Sequence, residues 1–192
     1  MGGSGNPAKF SFERNLMTQS LATTHVAPRD SQLLEFKSCG RHYACDLLWV
    51  KEVLRSPIVT PVSMAASYVR GVVHLRGQIL TAFDLEDRLG HPSSPTLPQN
   101  RCIVFKTAND LARLPQPPEN HDMADSDPTG LLVDSIGDIL PAGTRVLPAP
   151  PEALSGLDTR FIAGVISSDF GLITVLQISN LVSVAEPKRN GV

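Results

Sequence analysis

The sequence predicts an all-β fold, on three observations. Beyond Gln32, apolar and polar residues alternate in short runs, the two-residue period of strands with one buried face. Gly, Pro and Asn punctuate these runs at spacings of about 8 to 12 residues, the rhythm of a small barrel or sandwich. Long stretches with apolar residues at helical spacing are few. Among the 192 residues 42% are hydrophobic and 19% charged, enough apolar surface for a packed core, which excludes a mostly disordered chain.

Leu34 and Phe36 alternate with Glu35 and Lys37, and Cys39-Gly40-Arg41-His42 supplies a turn before Tyr43, Cys45 and Leu47 resume the period, which predicts a hairpin. The phase slips after Leu47, since Leu48 and Val50 continue on the other face, and a slip of this kind predicts a bulge or a single helical turn. Pro57 and Pro61 keep the short extended piece 58–62 away from a sheet centre, because proline donates no ladder hydrogen bond. One helical turn is expected over 65–69. Val72, Val73 and Leu75 precede Arg76-Gly77, and Ile79, Leu80 and Phe83 follow it, so two strands meet at a glycine-mediated turn. A brief helix follows over 84–89.

Residues 101–106 and 130–140 read as two further strands. Between them, residues 107–129 hold Pro115, Pro117, Pro118 and Pro128 and five acids against the single cation Arg113, a composition that predicts a mobile surface loop. The remaining extended segments are 145–150, 161–166 and 172–178, with a helical turn over 179–183. Residues 1–30 are expected to be a disordered leader or appended segment, with a second possible start at Met17, and 185–192 a flexible tail.

Composition also narrows function. A net charge of -2 gives no positive field to attract polyphosphate, so nucleic acid is not an expected partner. The three cysteines form no Cys-x-x-Cys pair and fit free thiols in a reducing cytosol. No apolar run reaches the roughly 20 residues that span a bilayer. The common phosphate-, nucleotide-, hydrolase- and zinc-binding motifs are absent, and neither a metal nor a cofactor is expected. His42, Cys45 and Asp46 lie close enough to suggest a thiol nucleophile, but alternation sends Cys45 to the core face with Tyr43 and Leu47, where a thiol is inert. Residues 125–130 begin like a calcium loop, with Asp125, Asp127 and Thr129 as oxygen ligands and Gly130 in sixth place. Ile136 then stands where a bidentate Glu is required.

Several blocks carry a family resemblance. These are Tyr43-Ala44-Cys45-Asp46-Leu47-Leu48-Trp49-Val50-Lys51-Glu52-Val53, then Tyr68-Val69-Arg70-Gly71-Val72-Val73-His74-Leu75-Arg76-Gly77-Gln78-Ile79, and Phe83-Asp84-Leu85. Leu131-Leu132-Val133-Asp134-Ser135-Ile136, Pro148-Ala149-Pro150 and Phe161-Ile162-Ala163-Gly164-Val165 continue in the same order. Together they resemble the CheW family of chemotaxis coupling proteins over about 32–182. Three departures are His74 in place of the usual Asn, Thr81-Ala82 in place of a Pro-containing pair, and the 107–129 insertion.

The resemblance implies two small SH3-like five-stranded β-barrels packed side by side. Within a domain over 31–184 the first would take 31–76 plus 160–184 and the second 77–159. It implies a non-catalytic cytoplasmic adaptor coupling the cytoplasmic tips of chemoreceptors to the regulatory domain of a chemotaxis histidine kinase, and leaves open self-association or ring formation in arrays. The positions it assigns to partner binding are Val50, Glu52, Gly71 and Arg76, with the kinase contact in the second barrel over roughly 78–140. From the residues themselves, Glu52 and Arg76 suit a contact rim because arginine's donor fork pairs with carboxylate, yet they can equally pair with each other across the barrels. Gly71 and Gly77 can equally be turn requirements. A small-barrel binder of ligand or oligonucleotide is the alternative, and it lacks a basic stripe interleaved with aromatics.

Overall fold

The hairpin predicted at the start of the domain is formed by β1 (Leu33–Ser38) and β2 (Arg41–Asp46), with Leu34 opposite Cys45 and Phe36 opposite Tyr43. Cys39 and Gly40 both have positive φ, 47° and 75°, as a two-residue turn compatible with strand twist requires. The computed structural model describes residues 31–91, 101–154 and 156–183, so both the leader expected over 1–30 and the tail over 185–192 lie outside the described residues.

The phase slip after β2 is a 3-10 turn, Leu47–Trp49, whose first turn is capped by the Asp46 carboxylate accepting from the Leu48 N–H at 2.8 Å. The turn moves the chain into a second sheet, built from β3 (Val50–Arg55), β4 (Val59–Thr60), β5 (Val69–Leu75), β6 (Gln78–Asp84), β7 (Arg101–Phe105) and β8 (Thr129–Val133). No helix forms over 65–69, where 67–68 make a turn, while the helix expected after β6 is α1 (Leu85–Leu89), capped by Asp84. Strand order in this sheet is β3-β7-β8-β6-β5-β4.

The segment read as one strand over 130–140 is two. It divides at Asp134, whose N–H donates to the Lys37 carbonyl at 2.9 Å, and β9 (Ser135–Leu140) then pairs with β1 in the first sheet. That sheet is completed by β10 (Ile162–Ser168) and β11 (Gly171–Leu176), in the order β10-β11-β2-β1-β9, and α3 (Ile178–Leu181) follows it. Sheet membership therefore divides the chain differently from the expectation. β3, β4 and β5 sit with the second sheet and not the first, and β9 sits with the first and not the second. Alternation reports a strand and its buried face, but the crossings occur at Asp46 and Asp134, two polar residues that carry no periodic signal.

Both sheets are buried on two faces around three apolar clusters. Leu34, Phe36, Tyr43 and Cys45 of the first sheet meet Ile103, Phe105, Leu131 and Val133 of the second in a shared core. The intervening residues point away. Leu33, Ala44, Ile173 and Val175 fill a core behind the first sheet, and Val73, Leu80, Cys102 and Leu132 one behind the second. The all-β expectation of two small β units packed side by side therefore holds, the second sheet having six strands because of the two-residue β4.

The 107–129 insertion is ordered, a correction to the expected mobile loop. It folds as α2 (Ala108–Ala112) and a 3-10 turn, His121–Met123. Thr107 and Asp110 form a reciprocal capping box, and Leu111 and Ala124 enter the shared core, Leu111 with no exposed surface. Its composition concealed one buried leucine and a satisfied helix start.

Candidate partner-binding site

β3 ends one side of the second sheet and β5 lies next to its other end, yet an ion pair joins them. The Arg76 guanidinium lies 3.2 Å from Glu52 Oε2. Leu54 of β3, Val59 of β4 and Leu75 of β5 pack on one core, so the sheet curls until its ends approach, and Glu52–Arg76 spans the seam. The pairing foreseen across the two barrels is made within one of them. With the Arg76 side chain 79% exposed, the pair stabilises the fold by no more than about 0 to 1 kcal/mol.

The backbone under Arg76 is more informative. Leu75 pairs with Gln78, so Arg76-Gly77 is the whole hairpin loop, and both residues have positive φ, 49° and 81°. Asn, Asp or Gly suits the first position of such a turn, whereas a left-handed arginine costs about 1 to 2 kcal/mol. That cost exceeds what the exposed pair returns. The guanidinium is thus held at a turn tip with one edge on Glu52 and most of its donors facing solvent, the arrangement of a strained residue kept for its surface.

Gly71 and Val50 are placed otherwise. Gly71 is buried at a bulge in β5 with φ 147°, and a Cβ there would lie 2.2 Å from the Thr60 carbonyl oxygen. Its lack of a side chain lets β4 lie against β5. Val50 opens β3, donates its N–H to Leu47 at the 3-10 turn, and packs at the margin of the shared core between the sheets. The structure thus brings Glu52 and Arg76 together and places Gly71 and Val50 in the backbone and core that support them.

Sequence reasoning missed the apolar surface on the same sheet. Ile58, Val62 and Met64, in the segments flanking β4, are exposed, as are Val53 beside Glu52 and Ile79 beside the Arg76 turn. Ile79 pairs with the exposed His74, on the face opposite the buried Leu80. The available signal was the phase of Ile79 and the proline bracket around Ile58. Exposed apolar residues grouped on one sheet, beside an arginine and a glutamate, have the composition of a protein-contact surface.

No described feature supports the catalytic readings. Cys45 is fully buried, and desolvation, reinforced by the Asp46 charge, pushes its thiol well above the ordinary range; burial pushes the Cys102 thiol up to about 12. His42 faces away from Cys45 and bonds Glu35 Oε1 through Nδ1 at 2.7 Å, its ring 4.4 Å from that of Phe170. Asp125 at the calcium-like segment accepts from the Asp127 N–H, and no metal-holding group of three or more His, Cys, Asp or Glu occurs among the described residues. No helix among them is long and apolar enough to cross a membrane. Their aromatic rings are mostly buried, Phe170 being the exposed one, so a stacking platform for nucleic acid is missing among the described residues.

Comparison with known proteins agrees with this picture. The model of the CheW-like domain matches residues 32–186. A protein of Rhizobium etli named "Probable chemotaxis protein CheW" is 26% identical over 168 residues, covering 87% of this chain and 97% of that protein. The chemotaxis protein CheW of Rhizobium meliloti is 24% identical over 160 residues, 83% of this chain and 92% of the relative. Among solved structures, the scaffolding protein TtCheW of Thermoanaerobacter tengcongensis superposes with a TM-score of 0.61 at 22% identity, over 79% of this chain and 92% of that one, a likeness of fold.

Proposed function

This chain belongs to the family of CheW-like domains, and from that premise we propose that it is a chemotaxis signalling adaptor that grips a receptor and a kinase and transforms neither. The observation that carries the reading is Arg76, held in a left-handed turn at the seam of the second sheet against Glu52 with most of its guanidinium exposed. One partner is the cytoplasmic tip of a chemoreceptor, the other the regulatory domain of a chemotaxis histidine kinase, and the adaptor works in the cytoplasm. Glu52 and Arg76 supply the charged part of a contact, and the kinase is met on the second sheet, where Ile58, Met64 and Ile79 offer the apolar part. Gly71 supports it by letting β4 lie flat, and Val50 by anchoring the start of β3.

The test is reconstitution from purified parts of one source. Receptor cytoplasmic fragment and kinase are expected to co-sediment only when the chain is added, and each partner to be retained by the immobilised chain. Kinase that sediments with receptor equally well in its absence would overturn the reading. The CheW-like domain match over residues 32–186 favours an adaptor over the ligand- or nucleic-acid-binding alternative.

A further inference from the structure

We propose that α1 is the brace that fixes the angle between the two sheets. By connectivity α1 belongs to the second sheet, since it follows β6 without a break. The partners of its buried carboxylate Glu86 lie on the first. Glu86 accepts from the Tyr43 hydroxyl of β2 at 2.9 Å and from Arg41 at 3.3 Å. The Leu89 carbonyl accepts the Asp158 N–H at 3.0 Å, just before the turn that leads into β10.

Arg88 makes the other attachment. Its guanidinium lies 4.2 Å from the Tyr68 ring, which precedes β5 of the second sheet, and 5.1 Å from the Phe161 ring, which precedes β10 of the first. One terminal nitrogen donates to the Ser183 carbonyl at 2.9 Å, while Nε is buried without a hydrogen-bond partner. The guanidinium thus sits against two rings, one at the entry to a strand of each sheet. On its own sheet α1 is anchored through Arg70, whose guanidinium reaches Asp84 at 3.2 Å and Asp87 at 3.0 Å.

The case for a brace is the kind of contact found at this place. Leu85 and Leu89 contribute apolar area to the shared core, but apolar contact is non-directional, and two packed sheets with such a core can settle at more than one angle. Directional bonds select one. Glu86 is 2% exposed, and sinking a carboxylate that deep is unfavourable compared with a leucine of similar volume. A buried polar group with partners on the opposing sheet accepts that cost in exchange for a unique geometry.

The test reads orientation separately from stability, and in the isolated protein, so it does not depend on the adaptor reading. Spin labels on Arg55→Cys of β3 and Asp138→Cys of β9, both exposed, span the two sheets, with Cys39→Asn introduced and the buried Cys45 and Cys102 left in place. Electron-electron distance measurement is expected to give one narrow distribution in this background. Tyr43→Phe with Arg88→Met is expected to broaden or shift it by about 2 Å or more, the scale of an element slipping at a packed interface. Leu80→Ala, which opens the core behind the second sheet, is expected to lower the melting temperature and leave the distribution narrow. Should the double variant not fold, Tyr43→Phe alone, which removes one oxygen, must still broaden the distribution. A wild-type distribution in a folded brace variant overturns the proposal, as does equal broadening in Leu80→Ala.

Discussion

Replacing Gly71 by alanine separates the two roles that this glycine can have in an adaptor, a contact with the partner or a requirement of the fold. The added Cβ would lie 2.2 Å from Thr60 O and 2.7 Å from Thr60 C, both backbone atoms that cannot swing aside as a flexible side chain does. A φ of 147° is also a glycine region, and holding alanine there costs about 1 to 3 kcal/mol. Displacing the Thr60–Pro61 backbone adds about 1 to 3 kcal/mol of overpacking, so the expected loss is about 2 to 6 kcal/mol. At about 2 to 4 °C per kcal/mol for a chain of this size, the melting temperature falls by roughly 4 to 24 °C. Trp49, the single tryptophan and 5% exposed at the shared core, makes its fluorescence a reporter of urea unfolding. A variant whose urea midpoint matches wild type, but which no longer retains the kinase regulatory domain, would refute the backbone reasoning and return Gly71 to the contact surface.

Arg76→Glu is expected to leave stability within about 1 kcal/mol, as an exposed pair dictates. It should weaken retention of receptor or kinase by about 1 to 3 kcal/mol, and pull-down titration of the double swap Glu52→Arg with Arg76→Glu tests whether the pair or the outward guanidinium matters. Leu111→Ala should cost about 2 to 5 kcal/mol in urea unfolding, whereas a mobile insertion would tolerate it without loss. Asp110 bonds the Lys51 ammonium and the Thr107 backbone, which together hold its carboxyl below the usual range. A lowered folded-state pKa contributes stability present above the unfolded value of about 3.9 and lost as pH falls through the folded value, so Asp110→Asn should destabilise at neutral pH and flatten that acid limb of a melting-temperature profile. Thiol titration under native conditions should label Cys39 readily, and Cys45 and Cys102 only after denaturation, in accord with their burial.

The strands were legible because alternation and turn chemistry agree at each hairpin. Cys39-Gly40 and Arg76-Gly77 both sit between residues of matching phase, and both adopt the left-handed pair that a two-residue loop needs. What stayed hidden was allocation. Leu132 and Ile136 are each apolar and extended, yet one belongs to the second sheet and one to a strand of the first, because the chain changes sheets at Asp134. A carboxylate that accepts from the Cys39 and Gly40 N–H groups across the crossing has no local signature. In the insertion a signature did exist. Thr107 followed three residues later by Asp110 begins a helix, and Leu111 completes its buried face, but the surrounding prolines and acids outweighed both. The site was legible as residue types only. Glu52 and Arg76 are far apart in sequence, and nothing in either segment says that the sheet curls enough to join them.

The crossings also bear on the proposed role of holding two partners at once. The second sheet is one continuous stretch, β3 to β8, set between β2 and β9 of the first, so the backbone passes between sheets after β2 and again after β8. Neither sheet closes its apolar faces without the other, since Phe36 and Tyr43 are covered in the same core as Ile103 and Leu131. A load applied to the second sheet at Arg76 or Ile79 therefore reaches the first through covalent crossings and a close-packed interior that deforms little. Two independent barrels on a flexible linker would let one partner move without disturbing the other. The inserted arrangement makes a displacement of one sheet a displacement of the other, which is what the proposed coupling of a receptor to a kinase requires.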